Sequence, residues 1–250
     1  MPALQSGQIR AEITDAVLEI TFDRADKLNA FTGAMYQDLV RLLAYAESAD
    51  EVRVLLFRAE GRAFSAGNDL ADFLNAKPGE VGEAAHFIRA IHRFPKVLVA
   101  AVQGNAVGVG TTMLLHTDLV VAADDAKFLT PFADLGAVPE AGSAKLLPTW
   151  LGYQRAARLL LLGEPMLAQD ALDAGLVAKV VPLEQLQDTA AGWARTLAKK
   201  PPRALRESKR LMREAISRGL NDVLEEDLAL FGEMLQGEEA RAVLAAMVKR

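Results

Sequence analysis

The sequence predicts an α/β body followed by an all-helical tail. Short apolar runs such as "VRVLLFR" (52–58) and "KVLVAAVQG" (96–104) read as buried strands, and segments with apolar residues at helical spacing lie between them. From about residue 183 onward nearly every segment has the helical period. The chain has 250 residues, 51% of them hydrophobic, and a net charge of −5, which suits one globular domain, or one domain with a small appendage.

The elements follow in order. Residues 8–14 and 16–22 alternate apolar and polar about Asp15 and predict a hairpin. "DRADKLNAF" reads as a polar loop. From about residue 33, Met35, Leu39, Leu42, Leu43 and Ala46 fall on one helical face. The strand at 52–58 leads into a turn, "AEGRAFSAGNDL", and a helix is predicted near 82–94, with Ala85, Ile88, Ile91 and His92 on one side. After the strand at 96–104 comes "GNAVGVGTTM", where Gly104, Gly108 and Gly110 suggest tight turns or close approach of another group. An apolar helix at about 110–116 follows, then short strands in "DLVVAAD" and "KFLTP". "LGAVPEAGSAKLLPTWLG" reads as a turn into a helix, further helices fit about 153–162 and 168–174, and "LVAKVV" fits a strand. In the tail, "KKPPRA" (199–204) punctuates the helices, because proline halts one and can start another. The tail carries apolar seams, Leu205, Met212 and Ile216, and Leu224, Leu228, Phe231 and Leu235, which call for a packing partner on the body or on another subunit.

Composition narrows the chemistry. Cysteine is absent, so disulfides, thiol nucleophiles and cysteine metal sites are out. His86, His92 and His116 are too few and scattered for most metal cages, and read as structural or surface residues. No basic stripe suggests nucleic acid. No apolar run is long enough to span a membrane, and the N-terminus does not read as a signal peptide, so a cytoplasmic protein is expected. The glycine pattern fails the dinucleotide fingerprint, because its third glycine would fall at Met113. Neither Ser65 nor Ser143 sits in a nucleophile elbow. What remains is two glycine turns after strands and isolated carboxylates: Asp118, Asp124, Asp125, Asp134 and Glu140. The aspartates read as turn or cap residues. Glu140 reads either as an acid favoured at a helix N-terminus or as a functional group.

"AFSAGNDL" (63–70), "VQGNAVGVGTTM" (102–113), "DLVVAADDAKFLTPFADLG" (118–136) and "VPEAGS" (138–143), in this order, resemble the crotonase, or enoyl-CoA hydratase/isomerase, superfamily. The likeness runs from "LEITFDRADKLNAF" to "AGLVAKVV" and more loosely through the tail. It implies an α/β fold, a spiral of β-β-α units with a C-terminal helical trimerisation region. Residues 1–195 would form the core with the active site, and 196–250 the region for oligomerisation, as a homotrimer or dimer of trimers. The implied substrate is an acyl-CoA thioester, in fatty-acid oxidation. Coenzyme A is then part of the substrate, and no separate cofactor, metal, nucleic acid or membrane partner is called for.

The resemblance also assigns roles. The backbone N–H groups of Asn68 and Val109 match the family's oxyanion hole, with Gly108 letting the thioester approach. The two glutamates of the hydratases correspond to Thr112 and Phe132, neither of which is an acid or base. The run "TPFADLGAVPEAGS" looks instead like the peroxisomal-type Δ3,Δ2-enoyl-CoA isomerases, whose single catalytic glutamate falls at Glu140, with Phe132 lining the acyl pocket. Arg24, Lys27, Ala66, Asn68 and Lys209 match coenzyme A contacts, Lys209 either within the chain or across a subunit interface. Two other readings stay open: a hydratase or another crotonase reaction on acyl-CoA, and a non-catalytic acyl-CoA-binding subunit.

Overall fold

The first hairpin turns on two residues in left-handed backbone, Asp15 (φ 53°) and Ala16 (φ 63°), between β1 (Ile9–Thr14) and β2 (Val17–Phe22). Such turns match the right-handed twist of the strands. The computed structural model describes residues 1–75, 82–216 and 219–248. After β2 the chain forms α1 (Gly33–Ser48), β3 (Val54–Ala59), α2 (Leu70–Asn75) and α3 (Glu83–Arg93). Then come β4 (Val97–Val102), β5 (Asn105–Val107), α4 (Val109–Thr112), β6 (Leu119–Ala123) and β7 (Lys127–Leu129). α5 (Ser143–Leu151), α6 (Tyr153–Leu160), β8 (Met166–Leu167), α7 (Ala168–Asp173) and β9 (Lys179–Val181) complete the body. The tail is α8 (Leu183–Ala198), α9 (Pro202–Ile216), α10 (Leu220–Gln236) and α11 (Glu238–Val248).

The strands form two sheets. The larger has the order β1-β2-β3-β4-β6-β9, with β1 antiparallel to β2 and the other neighbours parallel. The smaller has the order β5-β7-β8 and is extended by bridges between Ser65 and Ala106 and between Phe31 and Asn68. Each circuit of the chain therefore lays one long strand in the first sheet, a short extended segment in the second, and then a helix. That is the spiral of β-β-α units the sequence led one to expect. The large strands alternate between two buried faces, as period two demands. Leu55, Phe57, Leu98, Ala100 and Val102 enter the main core. Val54, Leu56, Val97, Val99 and Ala101 face α8, which meets them with Leu186, Ala190, Ala194 and Ala198. Small residues at four-residue spacing let α8 lie close on the sheet, so it belongs to the body, and the expected division at 195/196 falls inside this helix. Four details differ from the sequence reading. β5, β8 and α2 form in segments read as loop or turn, and the helix expected at 110–116 is α-helical only to Thr112 before tightening to 3₁₀ over Met113–His116. No described helix is long and apolar enough to cross a membrane.

α9 is pinned to the body by charge. The Lys209 ammonium, 7% exposed, donates to the Lys96 carbonyl at 2.6 Å and to Asp118 Oδ2 at 2.8 Å. Arg213 reaches Asp118 Oδ1 at 3.4 Å and the His116 carbonyl. Lys96 and Asp118 precede β4 and β6, at the end of the parallel strands opposite the glycine turns that follow them. Within the chain Lys209 is therefore committed to this anchor and does not reach the glycine loops. Burial pulls its pKa down to about 8, and Asp118 opposes the shift. Replacing Lys209 by Ala should cost about 2 kcal/mol of stability, the worth of buried charge-assisted hydrogen bonds. Urea denaturation checks this, and a loss within experimental error would remove Lys209 as the anchor.

Candidate active site

The site forms where the chain leaves β3 and β4 at neighbouring positions. The loop after β3 is held from below by Asn29, which is fully buried. Its Nδ2 donates to the carbonyls of Glu60 (2.8 Å) and Ala63 (2.9 Å), and its Oδ1 accepts the Arg24 N–H (2.8 Å). Ser65 Oγ donates to the Asn29 carbonyl at 2.8 Å and accepts the Gly67 N–H at 3.1 Å. Gly67 has φ 89°, and a Cβ there would meet the Val107 carbonyl oxygen at 2.9 Å. Only glycine lets the two loops approach this closely. Gly108 (φ 53°, ψ −120°) then starts α4, donating its N–H to Leu129 O at 2.8 Å. A Cβ at Gly110 would stand 3.0 Å from Ser65 Cβ.

This packing leaves two amides over. The Phe31 bridge uses the Gly67 carbonyl and the Asp69 N–H and skips the Asn68 N–H between them. The Val109 N–H heads α4. Neither amide finds a backbone or side-chain acceptor among the described residues. The structure thus brings Asn68, Gly108 and Val109 together, the last two on the same loop as Thr112.

Glu140 joins them through Thr112, whose hydroxyl donates to Glu140 Oε1. Glu140 is 2% exposed, and its Oε2 is buried without a hydrogen-bond partner. Burial raises its pKa to about 7; the Thr112 hydrogen bond works against the rise, and the charge of Asp227 adds to it. Tyr36 lies close enough for the Glu140 charge to raise its own pKa, after burial, and its hydroxyl donates to Asn68 Oδ1. The loop after Glu140 is tightly wound. Ala141 (φ 56°) and Gly142 (φ 69°) are both left-handed, and Ser143 returns its N–H (3.0 Å) and hydroxyl (2.6 Å) to the Glu140 carbonyl. His116 Nε2 lies 2.9 Å from the Ala141 carbonyl, a geometry that requires the N–H to be on that nitrogen. Burial holds the His116 pKa near 3, so it is a neutral structural histidine, as expected from sequence.

The other expected contacts are dispersed. Arg24 pairs with Asp69 at 2.7 Å and donates to the Ala30 carbonyl at 2.9 Å. Lys27 is exposed, and the Ala66 N–H is bonded to the Leu28 carbonyl at 2.8 Å. Phe132, 3% exposed, packs edge-on against Phe231 of α10 with ring centroids 6.0 Å apart. A cavity of about 650 Å³ lies between α9 and the body, lined by Phe94, His116, Trp150, Lys209 and Met212 among others but not by Asn68, Val109, Thr112 or Glu140. Sequence reasoning missed Asn29, Tyr36 and Asp227. For Asp227 a signal exists, because it falls on the apolar face marked by Leu224, Leu228 and Phe231.

Residues 12–250 match the family described as enoyl-CoA hydratase/isomerase. A Rattus norvegicus protein named enoyl-CoA delta isomerase 2 is 36% identical over 256 residues, covering 99% of this chain and 65% of that protein. The chain thus spans just under two thirds of that relative's length. An Escherichia coli K12 protein named 1,2-epoxyphenylacetyl-CoA isomerase is 35% identical, covering 89% of this chain and 86% of that one. Among solved structures, an enoyl-CoA hydratase/isomerase from Pseudoalteromonas atlantica T6c superposes with a TM-score of 0.91 at 34% identity, covering 97% of both chains.

A buried carboxylate leaves a mark on stability. Because folding raises the Glu140 pKa, stability is undiminished by this group below the usual carboxylate range, falls as pH rises through about 7, and then levels off. Glu140→Gln removes the ionisation. The variant should be more stable than the parent, with a margin growing between about pH 5 and about pH 8 to on the order of 3 kcal/mol. Denaturation across that range checks it, and a margin independent of pH would mean that folding leaves the Glu140 pKa unshifted.

Proposed function

The chain belongs to the enoyl-CoA hydratase/isomerase family, and within it we propose that it is a Δ3,Δ2-enoyl-CoA isomerase. The observation that carries this reading is Glu140, a buried carboxylate with one unpaired oxygen, beside two unbonded backbone amides. Desolvation makes it a stronger base than an exposed glutamate. It removes a proton from C2 of a 3-enoyl-CoA. The electron pair moves onto the thioester oxygen, giving a dienolate held by the Asn68 and Val109 N–H groups. Each such donor is worth on the order of 3 kcal/mol in the transition state. Return of the proton to C4 re-forms the carbonyl and places the double bond between C2 and C3. The thioester is the electron sink. Thr112 and Phe132 stand where a hydratase carries glutamates, which speaks for proton transfer within the chain of the substrate over addition of water.

Glu140→Gln keeps the shape of the side chain and removes its basicity, so turnover should fall by at least about 10³-fold while acyl-CoA binding remains. With substrate deuterated at C2, a single turnover in ordinary water should carry part of the label to C4, because one sheltered carboxylate serves both carbons. Undiminished turnover in the folded variant would end the assignment. Formation of 3-hydroxyacyl-CoA from a 2-enoyl-CoA would point to a hydratase instead.

The amides are tested separately. Asn68→Ala keeps the backbone N–H and should cost little, apart from the loss of the Tyr36 contact. Asn68→Pro deletes the N–H and should cost about 10²-fold or more in kcat. Equal small effects, with unchanged circular dichroism, would take Asn68 out of the oxyanion hole.

For the assembly we propose a trimer or dimer of trimers. α9 presents Leu211 (58% exposed), Met212 (67%) and Ile216 (41%) beside the cavity lined by Trp150, a surface unusual for a lone soluble chain. Sedimentation at micromolar concentration should show the trimer or its multiple; a stable monomer would exclude it.

A further inference from the structure

A second carboxylate lies against the base, and the sequence motifs do not account for it. Asp227 is carried by α10, whose Leu224 and Leu228 pack on Ile88 and Ala141. Its carboxylate accepts the N–H of Gly142, two residues after Glu140 on the same left-handed turn. Its Oδ2 is buried and has no partner among the described residues, as is the case for Oε2 of Glu140. Two buried acidic oxygens without partners among the described residues thus lie on neighbouring elements, the turn after Glu140 and the face of α10 packed on Ala141, with Thr112 bonded to Glu140 and the Gly142 N–H to Asp227. Buried polar atoms are rarely left unpaired, and a pair of them at one turn calls for a function.

We propose that Asp227 is a positioning residue for Glu140: its charge, brought onto the site by the C-terminal tail, sets the pH at which Glu140 becomes a base. The proposal rests on the reading of Glu140 as the base of an isomerase. Two neighbouring carboxylates out of water cannot both ionise freely, so the charge of one raises the pKa of the other. Asp227 rises to about 6 by burial, opposed by the Gly142 N–H and aided by Glu226. Glu140 rises to about 7, by burial first and with the Asp227 charge adding to the rise. The other groups around the pair do not replace Asp227 in this role. Tyr36 on α1 stays protonated, with Asp72 adding to its shift, and His116 stays neutral. On the solvent side Arg89 of α3 is bonded to Glu225 of α10 at 2.6 Å. Lys145, on α5, has its own partner.

Asp227→Asn removes the charge and keeps an oxygen for the Gly142 N–H. Asp227→Ser is a second charge-free change, and Asp227→Glu retains the charge. The acid limb of kcat/KM against pH, measured with a 3-enoyl-CoA, should move down by about half a unit to one unit in the Asn and Ser variants and return towards the parent in the Glu variant. The protonation of Glu140 is followed in parallel, without substrate, by the infrared band of its protonated carboxyl group, assigned by its loss in Glu140→Gln. The midpoint of that band should shift in the same direction. A midpoint unchanged in a folded charge-free variant overturns the proposal, as does a lowered kcat with the limb in place, which is what a merely structural aspartate would give. If the parent has no isomerase turnover, the reading of the reaction fails, and the infrared midpoint alone still decides whether Asp227 controls Glu140.

Discussion

Placing Glu140 in an apolar interior is the constraint on which the site depends. A carboxylate out of water is costly to ionise, and no cation is bonded to this one among the described residues. The same cost is what gives it base strength near neutral pH. The surrounding structure has to hold the side chain in place despite that cost. It does so through backbone conformation: two successive left-handed residues, a serine that closes the turn on the Glu140 carbonyl, and a neutral histidine bonded to the next carbonyl. Ala141 in left-handed backbone is itself unfavourable by about 1–2 kcal/mol. The strain sits beside the Glu140 carboxylate, where the surrounding packing over-determines the conformation.

The spiral explains why the proposed oxyanion is met by backbone. Each long strand is followed by a short segment in the second sheet, and consecutive circuits lie side by side. The amides of one circuit and the next are then fixed by the sheet itself. Asn68 and Val109 sit at the points where this ladder skips a donor. Their side chains are free to serve other ends, and Asn68 uses its own to take the Tyr36 hydroxyl. Preorganised donors of this kind need no reorganisation when charge develops.

Much of this was legible in the sequence because it depends on local rules. The hairpin, the amphipathic α1, the buried β3 and β4, and the proline break before α9 follow from period and turn chemistry. The glycine loops and Glu140 stood out by resemblance to a family. What escaped depends on contacts distant in sequence. β5 and β8 are short strands whose pairing, not their composition, makes them strands. Asn29 supports a loop more than thirty residues away, and a single asparagine in a polar stretch gives no sign of it. The burial of Lys209 against Asp118 and Lys96 escaped as well, because a lysine in a charged helix gives no sign of it. Asp227 was readable in principle, as an acid on the apolar face of its helix, but its neighbour Glu140 lies far back in the chain.

The tail is therefore three structures in one. α8 is a layer of the body, α9 is an anchored helix with an apolar outer side, and α10 with α11 folds over the site. A Cβ on Gly142 would meet Leu220 Cδ1 at 2.8 Å, and one on Gly136 would meet the Ala240 backbone at 3.2 Å, so both tail helices lie hard against loops of the active half. Leu220 and Leu224 are 3% and 2% exposed. Burying two such side chains is worth about 1.5–3 kcal/mol each. That is comparable to the cost, on the order of 3 kcal/mol, of holding Glu140 ionised with its raised pKa. The apolar face of α10 can thus offset the burial of the base it covers. The same helix excludes water from Glu140 and delivers Asp227, so its packing and the strength of the base are two consequences of one contact.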